Sequence, residues 1–217
     1  MRTLIECARP ASTPSTRTIC LLALVLAGAC APAQRLPIRA PTGAEIRALE
    51  QAVKPLLEAL ETGWPAGRDC PIGLVIIELP AINAGARLGD AGRCPTFTLG
   101  VTEGMLRRLP LDMLRAVLAH ELGHAQLGHL DARRQGGPTP AIFRLLTSAF
   151  DRRQEAEADQ FAVDLLRRLE PRQPGACVAF VYVLALLAGQ PSSTGWLSTH
   201  PSPDGRGEAA LAGCNRR

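Results

Sequence analysis

Residues 111–127 constrain this chain more than any other stretch. Pro110 supplies an entry, Leu111 to Leu127 reads as one long helix, and His120-Glu121-Leu122-Gly123-His124 stands in its middle. Side chains four apart on a helix lie one turn apart on one face. His120 and His124 therefore project together, and two neutral ring nitrogens at that spacing reach one metal ion at about 2.0–2.1 Å. Glu121, beside them, is placed to hold a metal-bound water and take its proton. The competing reading is a solvated helix face that happens to carry two histidines. Against it, the chain has four histidines in all, and every one falls within 120–129 or at 200.

A third donor is available in Arg152-Arg153-Gln154-Glu155-Ala156-Glu157-Ala158-Asp159, which opens the next long helix. Glu155 and Asp159 share one face. Glu155 completes a two-histidine, one-carboxylate site with the fourth place open for water, the catalytic arrangement. Asp159, one turn on, is set to accept the second N–H of a ligand imidazole and fix its tautomer. Glu157 points roughly opposite and reads as a surface charge. An acidic first turn favoured by the helix dipole is the plainer account of this cluster. A longer pattern, His-Glu-x-x-His-x-x-Gly-x-x-His, takes its third ligand from a histidine. Laid on this chain its last two marks fall on Leu127 and Leu130, so it fails. His129 sits about 140° around an ideal helix from His124 and reads as a non-ligand, with the helix ending near Gly128.

Composition narrows the remaining classes. Apolar residues make up 47% of the 217, charged residues 20%, and the net charge is +4. A real core is expected, and binding of nucleic acid on charge alone is excluded. Aromatics at 4% argue against a base-stacking platform. Lys54 is the only lysine, so there is no lysine-rich tail.

The first 29 residues read as an export leader. Arg2, Arg9 and Arg17 precede the apolar run Ile19 to Ala27, which is too short for a comfortable membrane span. Leu26-Ala27-Gly28-Ala29-Cys30 resembles a bacterial lipobox, in which cleavage leaves a lipidated Cys30. Cleavage after Ala31-Pro32-Ala33 is the alternative, and a buried helix of a cytosolic protein is a third. On the first reading residues 30–41 are anchor and linker, and 42–217 are the domain. The protein then sits on the periplasmic side of the envelope, anchored to a membrane by its lipid; Ala31 suggests the outer membrane. Cys7 and Cys20 leave with the leader, so Cys70, Cys94, Cys177 and Cys214 remain, an even number suited to two bridges. Three pairings are possible. Cys70–Cys94 and Cys177–Cys214 are favoured because each brackets one compact segment.

Thr42-Gly43-Ala44-Glu45 is a capping box. The run from Ile46 to Leu60 is helical, with a kink or a break expected at Pro55. Ile72 to Leu79 reads as a buried strand, and Ala81 to Gly92 has room for one short strand. Thr96 to Thr102 alternates and reads as a half-buried strand, provisionally at a sheet edge. Beyond the 131–140 loop, Ala141 to Phe150 and Arg152 to Leu169 are helices, either separate or continuous. Gly175 to Ala188 reads as a central core helix, and a short helix is expected near Glu208 to Ala212. The fold class is α+β, mainly helical, with a small sheet of about three strands packed on the Leu111–Leu127 helix.

These segments together resemble the HtpX and CAAX-prenyl-protease type of zinc metallopeptidase, the gluzincins. In kind they are nearest the small periplasmic lipoprotein members, the BepA-like proteases. The resemblance covers most of residues 42–211. It rests on residues 112–129 (DMLRAVLAHELGHAQLGH), 152–161 (RRQEAEADQF) and 198–206 (STHPSPDGR). It also takes in a strand pair at Ile76 to Ala84 and Thr98 to Leu106. It implies one Zn2+ per chain on His120, His124 and Glu155, supported by Asp159, with Glu121 as the base. His200, from Ser-Thr-His-Pro, then either stabilises the oxyanion or occupies the open zinc place in a resting form. The implied partners are unfolded or extended polypeptides and, through Cys30, a membrane; nucleic acid is not among them. A substrate strand is expected beside Thr98, Gly100 and Thr102. No repeat domain follows the catalytic part, which puts any docking role of larger members in doubt. The rival reading is a non-catalytic envelope chaperone with this fold. A purely structural zinc is disfavoured because three ligands are apparent where such sites close with four.

Overall fold

The computed structural model describes residues 37–60, 72–88, 97–130, 151–189, 196, 200 and 205–216. The leader, Cys30, Cys70, Cys94, Thr96, the 131–140 loop and the helix expected at Ala141 to Phe150 lie outside them. The chain divides between Arg35 and Leu36, and everything described belongs to the second part.

Four strands and six helices are described, and the class is α+β. Strand β1 is Ile38–Arg39, helix α1 Gly43–Ala59, β2 Ile72–Ile77, β3 Ala84–Leu88 and β4 Phe97–Thr102. Helices α2 Glu103–Arg108, α3 Leu111–Gln126, α4 Arg152–Leu169, α5 Ala176–Ala188 and α6 Arg206–Cys214 follow. The sheet order is β1-β2-β4-β3. β4 runs parallel to β2 and antiparallel to β3. This corrects two expectations. Ile38–Arg39, inside the stretch read as linker, pair with Ile77 and Ile76 of β2. β4 is an inner strand, and β3 ends the described sheet. Alternating hydrophobicity measures how a strand's two faces are covered and carries nothing about its two edges. The backbone of Thr98 and Gly100 already pairs on both sides, and that of Thr102 pairs with Ile77 and donates to Asn83 O at 3.0 Å, so no substrate strand can add there. The Thr102 hydroxyl is also committed. It accepts from the backbone N–H of Asn83 at 3.0 Å and of Met105 at 3.3 Å, capping α2.

α1 begins at the expected capping box, with both reciprocal bonds between Thr42 and Glu45 formed. It buries Leu49, Ala52, Val53 and Leu56, one face at helical spacing. Of the kink or break expected at Pro55, the break does not occur, and one helix runs from Gly43 to Ala59. Proline has no N–H, so the carbonyl of Gln51 loses its helical donor. Buried Arg115, on α3, supplies one: its Nη2 lies 3.3 Å from Gln51 O. A donor from the neighbouring helix thus makes the proline tolerable.

α5 is half in the core. Phe180, Val183, Leu184 and Leu187 are buried, while Tyr182 is 62% and Leu186 39% exposed. A run this apolar does not say which face is covered, and the central position expected for it is not found. Among the described residues no helix is long and apolar enough to cross a membrane. α5 is joined to α6 by the Cys177–Cys214 bridge, which closes a separation of 37 residues. A loop of that size stabilises by about 2–4 kcal/mol.

Packing on α3 creates the site. Residues 114–125 of this helix are all buried, with α4, α5, α1 and β3 against it. Gly123 lets α4 come close, because a Cβ there would meet the backbone of Ala158 at 3.0 Å from its oxygen and 3.2 Å from its Cα. The glycine inside the His-Glu-x-x-His stretch is therefore what allows the two ligand-bearing helices to touch.

Candidate metal centre

α4 starts where a second capping box sets it. Asp151 caps the N–H of Gln154, and the Gln154 side chain returns to the N–H of Asp151. The Asp-x-x-Gln signal was readable in the sequence and separates α4 from whatever precedes it. With that start, Glu155 and Asp159 face α3, and both are buried.

The structure brings His120, His124, Glu155 and His200 together, each offering one donor atom, all within 4.8 Å of one another. The Nε2 atoms of His120 and His124 are 3.0 Å apart. Glu155 Oε2 lies 3.6 Å from His120 Nε2, and Oε1 lies 3.3 Å from His124 Nε2. Donors about 2.0–2.1 Å from a tetrahedral ion are about 3.3 Å from each other, so these spacings fit. There are four candidate donors where three were expected.

Two further observations fit a cation. Neither carboxylate oxygen of Glu121 nor of Glu155 makes a hydrogen bond among the described residues, although both side chains are fully buried. Buried charge is costly unless something positive meets it; Arg206 Nη1, 3.0 Å from Glu155 Oε2, meets part of it. Burial pushes the Glu155 carboxyl up to about 7, with His200 and Arg206 pulling the other way. Burial also holds His120 well below its ordinary pKa, helped by the charge of Arg206. His120 is thus a neutral imidazole, the form that ligates metal.

His120 Nδ1, on the far side of its ring, lies 2.8 Å from Asp159 Oδ1. Asp159 is gripped in turn by Arg206, whose Nε and Nη2 donate to its two oxygens at 2.6 Å each. Arg206 Nη1 lies 3.0 Å from Glu155 Oε2. This arginine was within the STHPSPDGR stretch, but nothing in that stretch marked it out. Its role depends on α6 folding back onto α4. Trp196 was also missed. Its ring stacks on His200, centroids 3.8 Å apart and nearly parallel. His200 Nε2 lies 3.2 Å from Glu121 Oε1. Glu157 is not a detached surface charge: its Oε2 lies 3.0 Å from His129 Nε2. His129 stays outside the donor cluster, with its Nδ1 3.0 Å from His124 Nδ1.

The family model described as Peptidase U49 matches residues 107–216, a span that contains every residue of this cluster and just over half of the chain. The metalloprotease LoiP of Escherichia coli (strain K12) is 29% identical over 47% of this chain and 49% of its own length. The chain thus spans about half the length of the curated relative it matches. With His120, His124, Glu155 and His200 all inside the matched span, this chain belongs to the Peptidase U49 family.

Proposed function

We propose that this protein is a zinc-dependent metalloendopeptidase of the gluzincin kind, in which His120, His124 and Glu155 hold the ion. The observation that carries this reading is the fully buried Glu121 carboxylate, without a hydrogen bond among the described residues, beside three donors at tetrahedral spacing. A structural ion has no use for such a group, nor has a clamp that only binds. When bound, zinc acidifies a water toward neutrality and polarises a carbonyl.

The rest is done by side chains of this chain. Glu121 takes a proton from the attacking water and hands it to the leaving amine. His200 donates to the developing oxyanion. In the arrangement described here His200 stands among the donors instead, 1% exposed and stacked on Trp196, which supports a resting form with the fourth place filled. Arg206 and Asp159 keep His120 in position.

An extended peptide adds beside β3, the terminal described strand and one that packs on α3. Backbone pairing of that kind suits unfolded or extended substrates and gives weak sequence preference. Export, lipidation at Cys30 and substrates among envelope proteins complete the proposal.

Glu121→Gln tests it. The variant should keep its zinc and lose peptidase activity by about 10²–10⁴-fold, read as cleavage of casein with and without chelator. Undiminished cleavage would exclude Glu121 as the base.

A further inference from the structure

The two metal-facing imidazoles are supported from behind in different ways. His120 has the Asp159 carboxylate at 2.8 Å from its Nδ1. For His124 the group behind the ring is an imidazole: His124 Nδ1 lies 3.0 Å from Nδ1 of His129. We infer that His129 and Glu157 form a positioning pair that fixes the tautomer of His124, leaving its Nε2 bare and turned to the metal. The inference rests on the metal reading of the site.

Gly128 makes the contact possible. α3 ends at Gln126, and Gly128 takes a φ of 74°, a left-handed conformation that glycine adopts without strain. A continuing helix would carry residue 129 about 140° away from residue 124. The glycine turn brings His129 back over the outer edge of the His124 ring. His129 is 6% exposed there, and Leu130 beside it is 2% exposed.

Proton counting fixes the direction of the chain. An ionised carboxylate only accepts. Glu157 Oε2, 3.0 Å from His129 Nε2, therefore requires the proton of His129 to sit on Nε2. On the metal reading His124 ligates through Nε2, so its proton sits on Nδ1, and Nδ1 of His129, which faces it at 3.0 Å, accepts. A neutral imidazole carries only one. Nε2 of His124 is left with a free lone pair, 3.3 Å from Glu155 Oε1 and 3.0 Å from His120 Nε2. Reversing any link places a proton on the nitrogen that must ligate. Glu157 also faces Arg153, 3.6 Å from its other oxygen.

Asp159 and the His129–Glu157 pair thus do the same work by one step and by two. A ligand's outer partner is worth about 10–100-fold in metal affinity. The test is zinc(II) competition with a chromophoric chelator on the full chain, together with nitrogen-15 NMR of the histidine rings in the metal-free protein. His129→Phe should weaken zinc(II) binding by about 10–100-fold. Glu157→Leu, at a half-buried position, should weaken it by about tenfold, and Glu157→Gln, which keeps an acceptor oxygen, should do less. The NMR should show His124 protonated on Nδ1 and His129 on Nε2. Wild-type affinity in both His129→Phe and Glu157→Leu would overturn the inference, and so would a His129 proton on Nδ1. A wild type that takes up no zinc(II) would overturn the metal reading, and the tautomers would still decide the pairing.

Discussion

Two charged clusters in this molecule differ in one respect. Near the start of α1, Arg39 reaches both oxygens of Glu45 at 2.7 Å and Glu103 at 2.7 Å. Glu45 also accepts from the N–H of Thr42 at 2.8 Å. Every group is half-buried and tied off. Around α3, Glu121, Glu155, Asp159, His120 and Arg206 are buried, and only the Arg206–Asp159 contacts are well made on both sides. The first cluster staples β1 and α2 to the start of α1. In the second, the oxygens of Glu121 and Glu155 make no hydrogen bond among the described residues, and Arg206, 3.0 Å from Glu155 Oε2, offsets only part of that cost. Satisfied charge marks architecture here, and unsatisfied charge marks the site.

The largest expected effect that separates the clusters comes from Arg206. Removing one partner of a buried pair leaves the other uncompensated, at a cost of about 3–5 kcal/mol. Arg206→Leu should lower the unfolding free energy by about that much in urea titration of the metal-free protein. A loss under about 1 kcal/mol, the surface-pair range, would place Arg206 with the peripheral cluster and break the comparison.

A pH scan of the metal-free protein sharpens it next, because the clusters have opposite signs. Burial raises the Glu155 carboxyl from 4.5 to about 7, and burial raises Asp159 as well. An acid raised in the folded state contributes stability below its unfolded pKa and loses it as pH climbs through the folded one. The metal-free protein should therefore weaken as pH rises from about 4.5 through about 7, and added metal should remove the slope. Arg39 holds Glu45 down, to about 2 from 4.5. That contribution is present above about 4.5 and is lost as pH falls toward about 2. Thermal melts along the scan should thus decline at both ends. A melt that stays level through neutrality would contradict the burial argument for Glu155.

The smallest effect is at Glu45 itself. Its pair with Arg39 is half-buried at the surface, and surface pairs are worth about 0–1 kcal/mol. Glu45→Gln should cost no more than that in the same urea titration, and a larger loss would show that the staple matters more than its exposure allows.

The sequence made some of this legible for physical reasons. His120, Glu121 and His124 lie on one turn, and Glu155 and Asp159 on another, so local spacing alone groups them. Thr42 and Glu45 cap their helix through contacts three residues apart. What stayed hidden depends on contacts distant in the chain. Arg206 meets Asp159 across 47 residues, and Glu157 meets His129 across 28. The edge expected at Thr96 to Thr102 failed because β3 comes from a short glycine-rich stretch with little pattern of its own. Pro55 was read from its own helix only, and the donor that accommodates it comes from Arg115 on α3.

The central claim is that two imidazoles and the Glu155 carboxylate hold one divalent ion. Metal content by mass spectrometry, on wild type and on Glu155→Ala incubated with zinc(II) and then dialysed, tests it most directly. The account predicts about one zinc per wild-type chain and none in the variant, with circular dichroism unchanged. A folded Glu155→Ala that retains a full complement of zinc would contradict it, as would a wild type that retains none.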